Sequence, residues 1–273
     1  MKFSVVTPCL NAASHIEETV ASVGAQAAVQ GGAVELEHLV RDGGSTDGTL
    51  EILRRLQKPH LRIDSRADGG MYDALARGLR EASGDVVAYL NAGDYLHPHA
   101  FDVVRELMAA RPQIRWLTGW AIAYNAAGAA VRLDLPPRYR ARLHRCGAYG
   151  RWLPAVQQES TFWKRELHER VDFARLAKLR LAGDYYLWRC FAETDALHIV
   201  SAQLGGFRLH AGQLSSDIDA YRAEMAALAE APGPADYALM LCDKLSWYAP
   251  PAVKKFLNPR GFHLYDFGAG RWD

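Results

Sequence analysis

The stretch 34-VELEHLVRDGGSTDGTLEILRRL-56 decides the fold. Residues 34–41 predict a β-strand, and the glycines and carboxylates of residues 42–48 predict a tight turn. A helix is then expected from about Thr49, because leucines recur on one side of it three residues apart. The stretch therefore predicts one strand–turn–helix unit.

The same unit repeats through the first 110 residues. Further strands are predicted at 2–7, 61–65 and 85–90, and further helices at about 14–26, 70–82 and 98–110. This rhythm is typical of an α/β fold with a Rossmann-like, doubly wound, mainly parallel sheet. Ligands bind such sheets at the carboxyl ends of the strands, so the turns after the second and fourth strands form the candidate site.

The second half of the chain is less regular. Residues 114–124 and 129–135 predict a strand hairpin, and residues 183–193 predict a helix. Residues 197–210 resemble a strand, and the chain is expected to be helical from about 217 onward. No flexible linker separates these segments, so we expect one elaborated domain.

Composition narrows the possible functions. The chain has 273 residues, with 32 Lys and Arg against 31 Asp and Glu, so we expect no nucleic-acid partner. The four cysteines are widely separated and form no C-x-x-C pair, which favours reduced thiols in the cytoplasm (Cys9, Cys146, Cys190 and Cys242). No apolar run approaches the roughly 18 residues of a membrane span.

Two acidic turns at the predicted sheet edge carry the candidate chemistry. The first, 42-DGGSTDG-48, has neither a G-K-[ST] ending nor a G-x-G-x-x-G pattern, and it also fits a simple helix-capping turn. The second, 91-NAGD-94, offers a carboxylate that suits a hard divalent cation, although capping of the next helix explains it equally well. Each turn alone leaves both interpretations open.

Taken together, the segments of the first hundred residues resemble the family 2 glycosyltransferases with the GT-A fold, which use nucleotide-sugar donors. The resemblance rests on VVTPCLNAASHIEETVASV, VRDGGSTDGTLEIL and DGGMYDALARGLREASGDVVAYLNAGD. It continues through 157-QQESTFWKREL-167, 182-AGDYYLWRC-190 and 206-GFRLHAGQLS-215. It implies a GT-A domain over 1–215, with a nucleotide-sugar-binding half at 1–110, an acceptor-side half at 111–215 and a helical C-terminal extension at 216–273.

The resemblance also implies a set of donor-binding residues. Thr7 and Pro8 would line the nucleotide pocket, and Asp42 would accept a hydrogen bond from the base. Asp68 would bind sugar hydroxyls. Asn91 and Arg208 would lie at the diphosphate, where a guanidinium pairs well with phosphate oxygens.

A divalent metal cofactor, Mn²⁺ or Mg²⁺, is implied at the same place. Asp94 corresponds to the last acid of the family's D-x-D-type motif and would hold the metal on the diphosphate. His210 is a second candidate ligand. Because Asn91 stands where many relatives have the first acid, we expect weaker metal binding in the absence of donor.

The resemblance assigns the general base to Asp184. Inverting transfer requires a carboxylate that takes the proton of the attacking hydroxyl. The family usually has a Glu-Asp pair at this position, whereas this chain has Gly183 and Asp184. Asp184 also fits a helix N-cap, and both roles are compatible. Gln158, Glu159 and Trp163 are expected on the acceptor side, with Trp163 either stacking on a sugar or packing in the core.

The predicted function is therefore inverting transfer of a hexose from a UDP- or GDP-sugar to a glycan or lipid-linked glycan, as in bacterial surface-polysaccharide assembly. A non-catalytic nucleotide-sugar-binding domain and a nucleotidyltransferase are the alternatives. The second is disfavoured because 7-TPCLNAASH-15 lacks a basic residue after the first strand. The aromatic and basic segment 244–267 leaves open a peripheral contact with the inner face of a membrane, packing on the domain, or a homodimer.

Overall fold

The computed structural model describes residues 1–209, 213 and 217–273. Its first half alternates strands and helices as the sequence predicts, and strand β2 and helix α3 lie within one residue of their expected positions. The elements are β1 (Lys2–Cys9), α1 (Ile16–Gly24), α2 (Ala27–Gln30), β2 (Glu35–Asp42), α3 (Thr49–Leu56), β3 (Leu61–Ser65), α4 (Met71–Glu81), β4 (Val86–Tyr89), β5 (Tyr95–Leu96) and α5 (Ala100–Ala110).

The second half consists of shorter elements. They are β6 (Trp116–Thr118), β7 (Ala121–Tyr124), β8 (Ala130–Asp134), α6 (Ala141–Arg145), β9 (Thr161–Lys164), α7 (Phe173–Leu176), α8 (Gly183–Ala192), β10 (His198–Val200), β11 (Gly205–Arg208), α9 (Ile218–Leu228), α10 (Pro234–Ser246), α11 (Pro251–Leu257), β12 (Phe262–His263), β13 (Tyr265–Asp266) and β14 (Arg271–Trp272). Two 3-10 helices flank β9, at Gln158–Ser160 and Arg165–Arg170.

A mainly parallel sheet forms the centre of the fold and confirms the predicted class. Its strand order is β12-β10-β6-β9-β4-β1-β2-β3, and β9 is antiparallel to both of its neighbours. Strands β1 and β2 run parallel in a register that places Cys9 opposite Asp42. The ends of β1, β2 and β4 therefore meet at one edge, where the two acidic turns begin.

The predicted strand 114–124 is divided between two sheets. Strand β6 lies in the main sheet, whereas β7 pairs with β8 and β11 in a second sheet. The chain passes between them at Gly119, where a Cβ atom would lie 2.5 Å from the carbonyl oxygen of Ala202. The predicted hairpin is present as β7 and β8, and Asn125 closes it by accepting hydrogen bonds from the N–H groups of Ala127 and Ala129. The predicted strand 197–210 is likewise divided, into β10 and β11.

Helices cover both faces of the main sheet. On β1, Val6 packs in the cluster that contains Leu75 of α4, whereas Val5 packs in the cluster that contains Phe101 of α5. Both faces of this strand are buried, as expected for a parallel strand within a doubly wound sheet.

The last segment of the chain returns to the main sheet, because β12 pairs in parallel with β10. Helices α9 to α11 precede this strand, and the division at residue 215 stays a prediction. Within residues 1–209, 213 and 217–273, no helix is both long and apolar enough to cross a membrane.

Candidate active site

A cleft of about 790 Å³ opens at the carboxyl ends of the parallel strands. It brings together residues that are far apart in the sequence, from the first strand to helix α9. Seven of the predicted site residues line it: Pro8, Asp68, Asn91, Asp94, Gln158, Glu159 and Asp184.

The turn after β4 places Asp94 at the bottom of this cleft. Gly93 adopts a φ of 110°, which favours glycine, and its N–H donates to Thr19 Oγ1. The same hydroxyl donates to the carbonyl oxygen of Asp94. The carboxylate of Asp94 accepts the N–H of Arg208 at 3.0 Å and Gln158 Nε2 at 3.4 Å. Asp94 is therefore held by three elements, and its side chain is buried.

Burial disfavours negative charge on the carboxyl groups at this position. Burial raises the pKa of Asp94 well above its usual value, and the nearby Glu159 raises it further, while the N–H and charge of Arg208 oppose the shift. Burial likewise raises the pKa of Glu159 to about 7. A cation bound beside Asp94 would favour the ionised carboxylate and reverse its shift.

The oxygen atoms around Asp94 suit a hard divalent cation. Within the described part of the chain, the amide oxygens of Asn91 and Gln158 are buried without a hydrogen-bond partner. Such oxygens, with a carboxylate, are the ligands that Mg²⁺ and Mn²⁺ prefer. No group of three or more His, Cys, Asp or Glu side chains is assembled among residues 1–209, 213 and 217–273. The predicted ligand His210 lies outside the described residues.

Asp184 enters the cleft from the first turn of α8. The N-cap of this helix is Ala182, so Asp184 does not cap it and its side chain is available to the cleft. The Tyr221 hydroxyl lies 3.2 Å from both carboxylate oxygens, and the Tyr72 hydroxyl lies 3.5 Å from Oδ1. Burial raises the pKa of Asp184 to about 6, although the hydrogen bonds from Tyr185 and Tyr221 oppose the shift. The group is thus a carboxylate at neutral pH and a stronger base than an exposed aspartate.

Tyr72 supports Asp184 from α4. Its hydroxyl donates to the carbonyl oxygen of Leu181 at 2.9 Å and accepts the N–H of Asp184 at 3.3 Å. A Cβ atom on Gly183 would lie 2.3 Å from the Tyr72 ring. A side chain at position 183 is therefore excluded unless Tyr72 moves, which explains why a glycine stands before the aspartate in this chain.

Sequence reasoning missed Tyr72 and Tyr221 as site residues. Tyr72 lies two residues after Gly70 and four after Asp68, the residue expected to bind sugar hydroxyls, so its closeness to Asp68 was a usable signal. Tyr221 lies beyond the recognisable segments, and nothing in its local pattern indicates contact with Asp184.

On the donor side, Asp68 lies at the turn into α4. Its Oδ1 accepts the N–H of Gly70 at 2.9 Å, and its Oδ2 pairs with Arg77 at 3.3 Å. Pro8, at the end of β1, lines the same part of the cleft. Thr7 does not line it, which corrects the prediction: its hydroxyl lies 2.9 Å from His38 Nε2 and is fully buried between β1 and β2.

The structure also corrects the assignment of Asp42. Its side chain is fully buried and absent from the cleft wall, because its oxygens accept hydrogen bonds from Ser65 Oγ and from the N–H groups of Gly44 and Ser45. Burial alone would raise the pKa of Asp42, but these bonds and the Ser45 hydroxyl hold it below its usual value. Asp42 therefore organises the turn after β2.

Two further predicted contacts differ in the structure. Trp163 is fully buried, donates Nε1 to His168 Nε2 and packs against Trp188, which agrees with the core alternative and not with stacking on a sugar. Arg208 directs its guanidinium to Glu18 and lies over the ring of Tyr95, so its side chain is not part of the cleft wall.

Residues 4–135 match the family model described as glycosyl transferase family 2. The match to glycosyl transferase family 2 thus covers slightly less than half of the chain. An uncharacterised glycosyltransferase of Mycobacterium tuberculosis strain H37Rv is 37% identical over 134 residues, which are 49% of this chain and 50% of that protein. The chain thus spans about half the length of the curated relatives it matches first.

Solved structures extend the likeness in fold over almost the whole length of the chain. Staphylococcus aureus TarS residues 1–349, in complex with UDP-GlcNAc, has a TM-score of 0.62 and 18% identity, covering 94% of this chain and 72% of that one. The mannosyltransferase PcManGT of Pyrobaculum calidifontis, in complex with GDP-Man and Mn²⁺, has a TM-score of 0.57 and 19% identity, covering 92% and 71%. At these identities the comparison establishes the fold, and the predicted GT-A fold is confirmed.

Proposed function

We propose that this protein is an inverting glycosyltransferase that moves a hexose from a UDP- or GDP-sugar to a glycan or lipid-linked glycan. The observation that carries the proposal is that Asp94 and Asp184, 90 positions apart in the sequence, line one cleft at the carboxyl ends of the strands. The match of residues 4–135 to the family 2 model and the nucleotide-sugar complexes of TarS and PcManGT support the same substrate class.

The donor would lie against the first half of the cleft. The segment from Pro8 to Ala12 offers a wall for the nucleotide, and Asp68 with its adjoining glycines offers hydrogen bonds to sugar hydroxyls. The diphosphate would lie near Asp94. The carboxyl groups there would repel a diphosphate unless cationic charge accompanies it.

A divalent metal, Mn²⁺ or Mg²⁺, fits this position, with Asp94 and the amide oxygens of Asn91 and Gln158 as its protein ligands. When bound, such an ion neutralises the charge that develops on a leaving diphosphate. PcManGT was solved with Mn²⁺, which supports the choice of metal. His210 remains a proposed additional ligand.

Asp184 would act as the general base. Its carboxylate takes the proton from an acceptor hydroxyl while that oxygen forms a bond to the anomeric carbon. The bond from the anomeric carbon to the phosphate oxygen breaks on the opposite side, and its electron pair leaves with the nucleoside diphosphate. The anomeric configuration is therefore inverted. The raised pKa of Asp184 suits this role, because a base whose pKa lies near the working pH transfers protons efficiently.

The acceptor would enter from the side of α8. Gln158, Glu159 and Arg180 line the same cleft as Asp94 and Asp184. These polar groups would form hydrogen bonds with the hydroxyls of an acceptor sugar, next to the proposed base Asp184.

Helices α10 and α11 offer a surface for peripheral membrane contact. Leu245, Tyr248 and Phe256 are 76%, 85% and 83% exposed, and Lys244 and Lys255 adjoin them in sequence. Exposed apolar and aromatic side chains beside lysines suit the headgroup region of an anionic membrane that carries a lipid-linked acceptor.

Vesicle sedimentation tests this surface. We expect binding to vesicles that contain phosphatidylglycerol, weakened by Leu245→Glu and unchanged by Leu133→Glu, at an exposed leucine on β8. If Leu245→Glu instead converts a dimer to a monomer and leaves vesicle binding unchanged, the surface binds a second copy of the chain and not a membrane.

A nucleotide screen followed by product analysis tests the function. Thermal shifts with UDP, GDP, TDP and CDP, each with and without Mn²⁺, should identify one nucleotide that raises the melting temperature. The corresponding sugar donor, incubated with glycan acceptors, should then yield a product of inverted anomeric configuration by NMR. Nucleotide binding without transfer to any acceptor would favour a non-catalytic domain, and release of pyrophosphate would favour a nucleotidyltransferase.

A further inference from the structure

The helix that carries Asp184 has an unusual N-terminal cap. Its N-cap residue, Ala182, has no side-chain acceptor for the free N–H groups of the first turn. The carboxylate of Glu224 instead binds the backbone that leads into the helix: it accepts the N–H groups of Arg180 at 2.9 Å, Leu181 at 2.7 Å and the N-cap residue Ala182 at 2.6 Å. One side chain from another helix thus binds three consecutive N–H groups immediately before the base.

Glu224 belongs to α9 and lies one turn after Tyr221, whose hydroxyl contacts the Asp184 carboxylate. Residues three apart on a helix share a face, so α9 presents both groups to the start of α8. Burial alone would raise the pKa of Glu224, but the backbone hydrogen bonds lower it, and the group is charged at neutral pH. A carboxylate at a helix N-terminus is also favoured by the helix dipole.

The bound segment forms part of the cleft wall. Leu179, Arg180 and Leu181 line the cleft beside Asp184, so the backbone that Glu224 holds also shapes the side from which an acceptor would enter. A shift of about 1 Å in a base is enough to cost on the order of a hundredfold in rate.

We propose that Glu224 is a positioning residue for sugar transfer, which fixes the start of α8 so that Asp184 meets the acceptor hydroxyl. This inference rests on the proposed function. It makes α9, in the segment predicted as a C-terminal extension, a part of the catalytic apparatus.

Glu230 provides a matched control on the same helix pair. It forms a 3.7 Å ion pair with Arg189 of α8, but its side chain is 58% exposed and the pair is remote from the first turn. Glu230 follows the end of α9 by two residues. Glu230→Gln therefore also removes one negative charge that faces α8, but it leaves the backbone before Asp184 bound. Glu224→Gln keeps one acceptor oxygen, and Glu224→Ala keeps none.

The experiment measures the transfer rate, the donor dissociation constant and amide hydrogen exchange of the peptide that contains residues 179–185. We expect kcat to fall by roughly tenfold in Glu224→Gln and a hundredfold in Glu224→Ala, with faster exchange of that peptide and an unchanged donor dissociation constant. Glu230→Gln should match the wild type in all three. Assays at a temperature well below the melting point of each variant separate positioning from loss of fold.

Normal kcat in a folded Glu224→Ala protein whose amides exchange faster would overturn the proposal, because the anchor would then be purely structural. Absence of transfer by the wild type, or full activity in Asp184→Asn, would instead overturn the proposed function. Should Glu224→Ala not fold, Glu224→Gln decides the question by the same comparison with Glu230→Gln.

Discussion

The hydroxyl of Tyr221 lies 3.2 Å from each carboxylate oxygen of Asp184. The hydroxyl donates to the ionised form of the acid, so it favours ionisation and opposes the effect of burial. The balance between these two effects sets the pH at which the base becomes available.

The rate of transfer should depend on pH through Asp184. Its pKa is about 6, so the rate should fall below that pH and level off above about pH 7. In Tyr221→Phe the ionised form loses a hydrogen bond, and the midpoint should rise by up to about one pH unit. The measurement is kcat against pH, with Tyr237→Phe, an exposed tyrosine on α10, as the control. An unmoved midpoint in Tyr221→Phe would argue against Asp184 as the titrating group.

Gly183 should tolerate no side chain. The Cβ of alanine would lie 2.3 Å from the Tyr72 ring, so Gly183→Ala must displace Tyr72 or α8. We expect a loss of about 1–3 kcal/mol in the free energy of unfolding, together with slower transfer. The control is Gly233→Ala, where the nearest atom is 3.7 Å from the added carbon. Urea denaturation of both variants measures the difference, and equal stability would show that the Tyr72 ring yields easily.

Asp94→Asn should remove the metal-dependent part of donor binding. The Asp94 carboxylate is the charged group among the proposed ligands that the structure describes, and its loss leaves the amide oxygens of Asn91 and Gln158 as those ligands. In the wild type, adding Mn²⁺ to the bound nucleotide should raise the melting temperature above that with nucleotide alone. In Asp94→Asn, adding Mn²⁺ should give no such increase. Asp102→Asn, on α5 and paired with His99, should keep the increment. A full Mn²⁺ increment in Asp94→Asn would place the metal elsewhere.

Asp184→Asn should stabilise the protein at neutral pH. The folded-state pKa of Asp184 lies above its unfolded value, so the folded protein binds more protons between about pH 4 and 6 and loses stability as pH rises through that range. The neutral amide avoids this loss. We expect a melting temperature a few degrees above the wild type at pH 7.5, and a smaller difference at pH 5. A variant less stable than the wild type at pH 7.5 would contradict the burial argument.

Much of the fold was predictable because its first half repeats one local pattern. The strand at 34–41, the turn at 42–48 and the helix from Thr49 each have a strong local signal, and the structure has them within one residue. The division of 114–124 was not predictable. Strand β6 has only three residues, and the break at Gly119 depends on a close contact with Ala202, which is distant in the sequence.

The site was predictable where the side chain ends a strand or opens a helix, as at Asp94 and Asp184. On β1, the sequence did not predict which side chains reach the cleft. Both faces of that strand are buried, so no alternation of polar and apolar residues shows to which side Thr7 points. Tyr221 contacts Asp184 from 37 residues away, and Glu224 contacts the backbone of residues 180–182 from 42 to 44 residues away. Both contacts depend on the packing of α9 on α8, and no local sequence pattern predicts them.

The central claim is that Asp184 takes the proton of the acceptor hydroxyl. The most direct measurement is the single-turnover rate of transfer by Asp184→Asn, with the donor dissociation constant measured on the same preparation. We expect a rate lower by roughly a hundredfold to ten-thousandfold, with donor affinity unchanged. A rate within a few-fold of the wild type would contradict it.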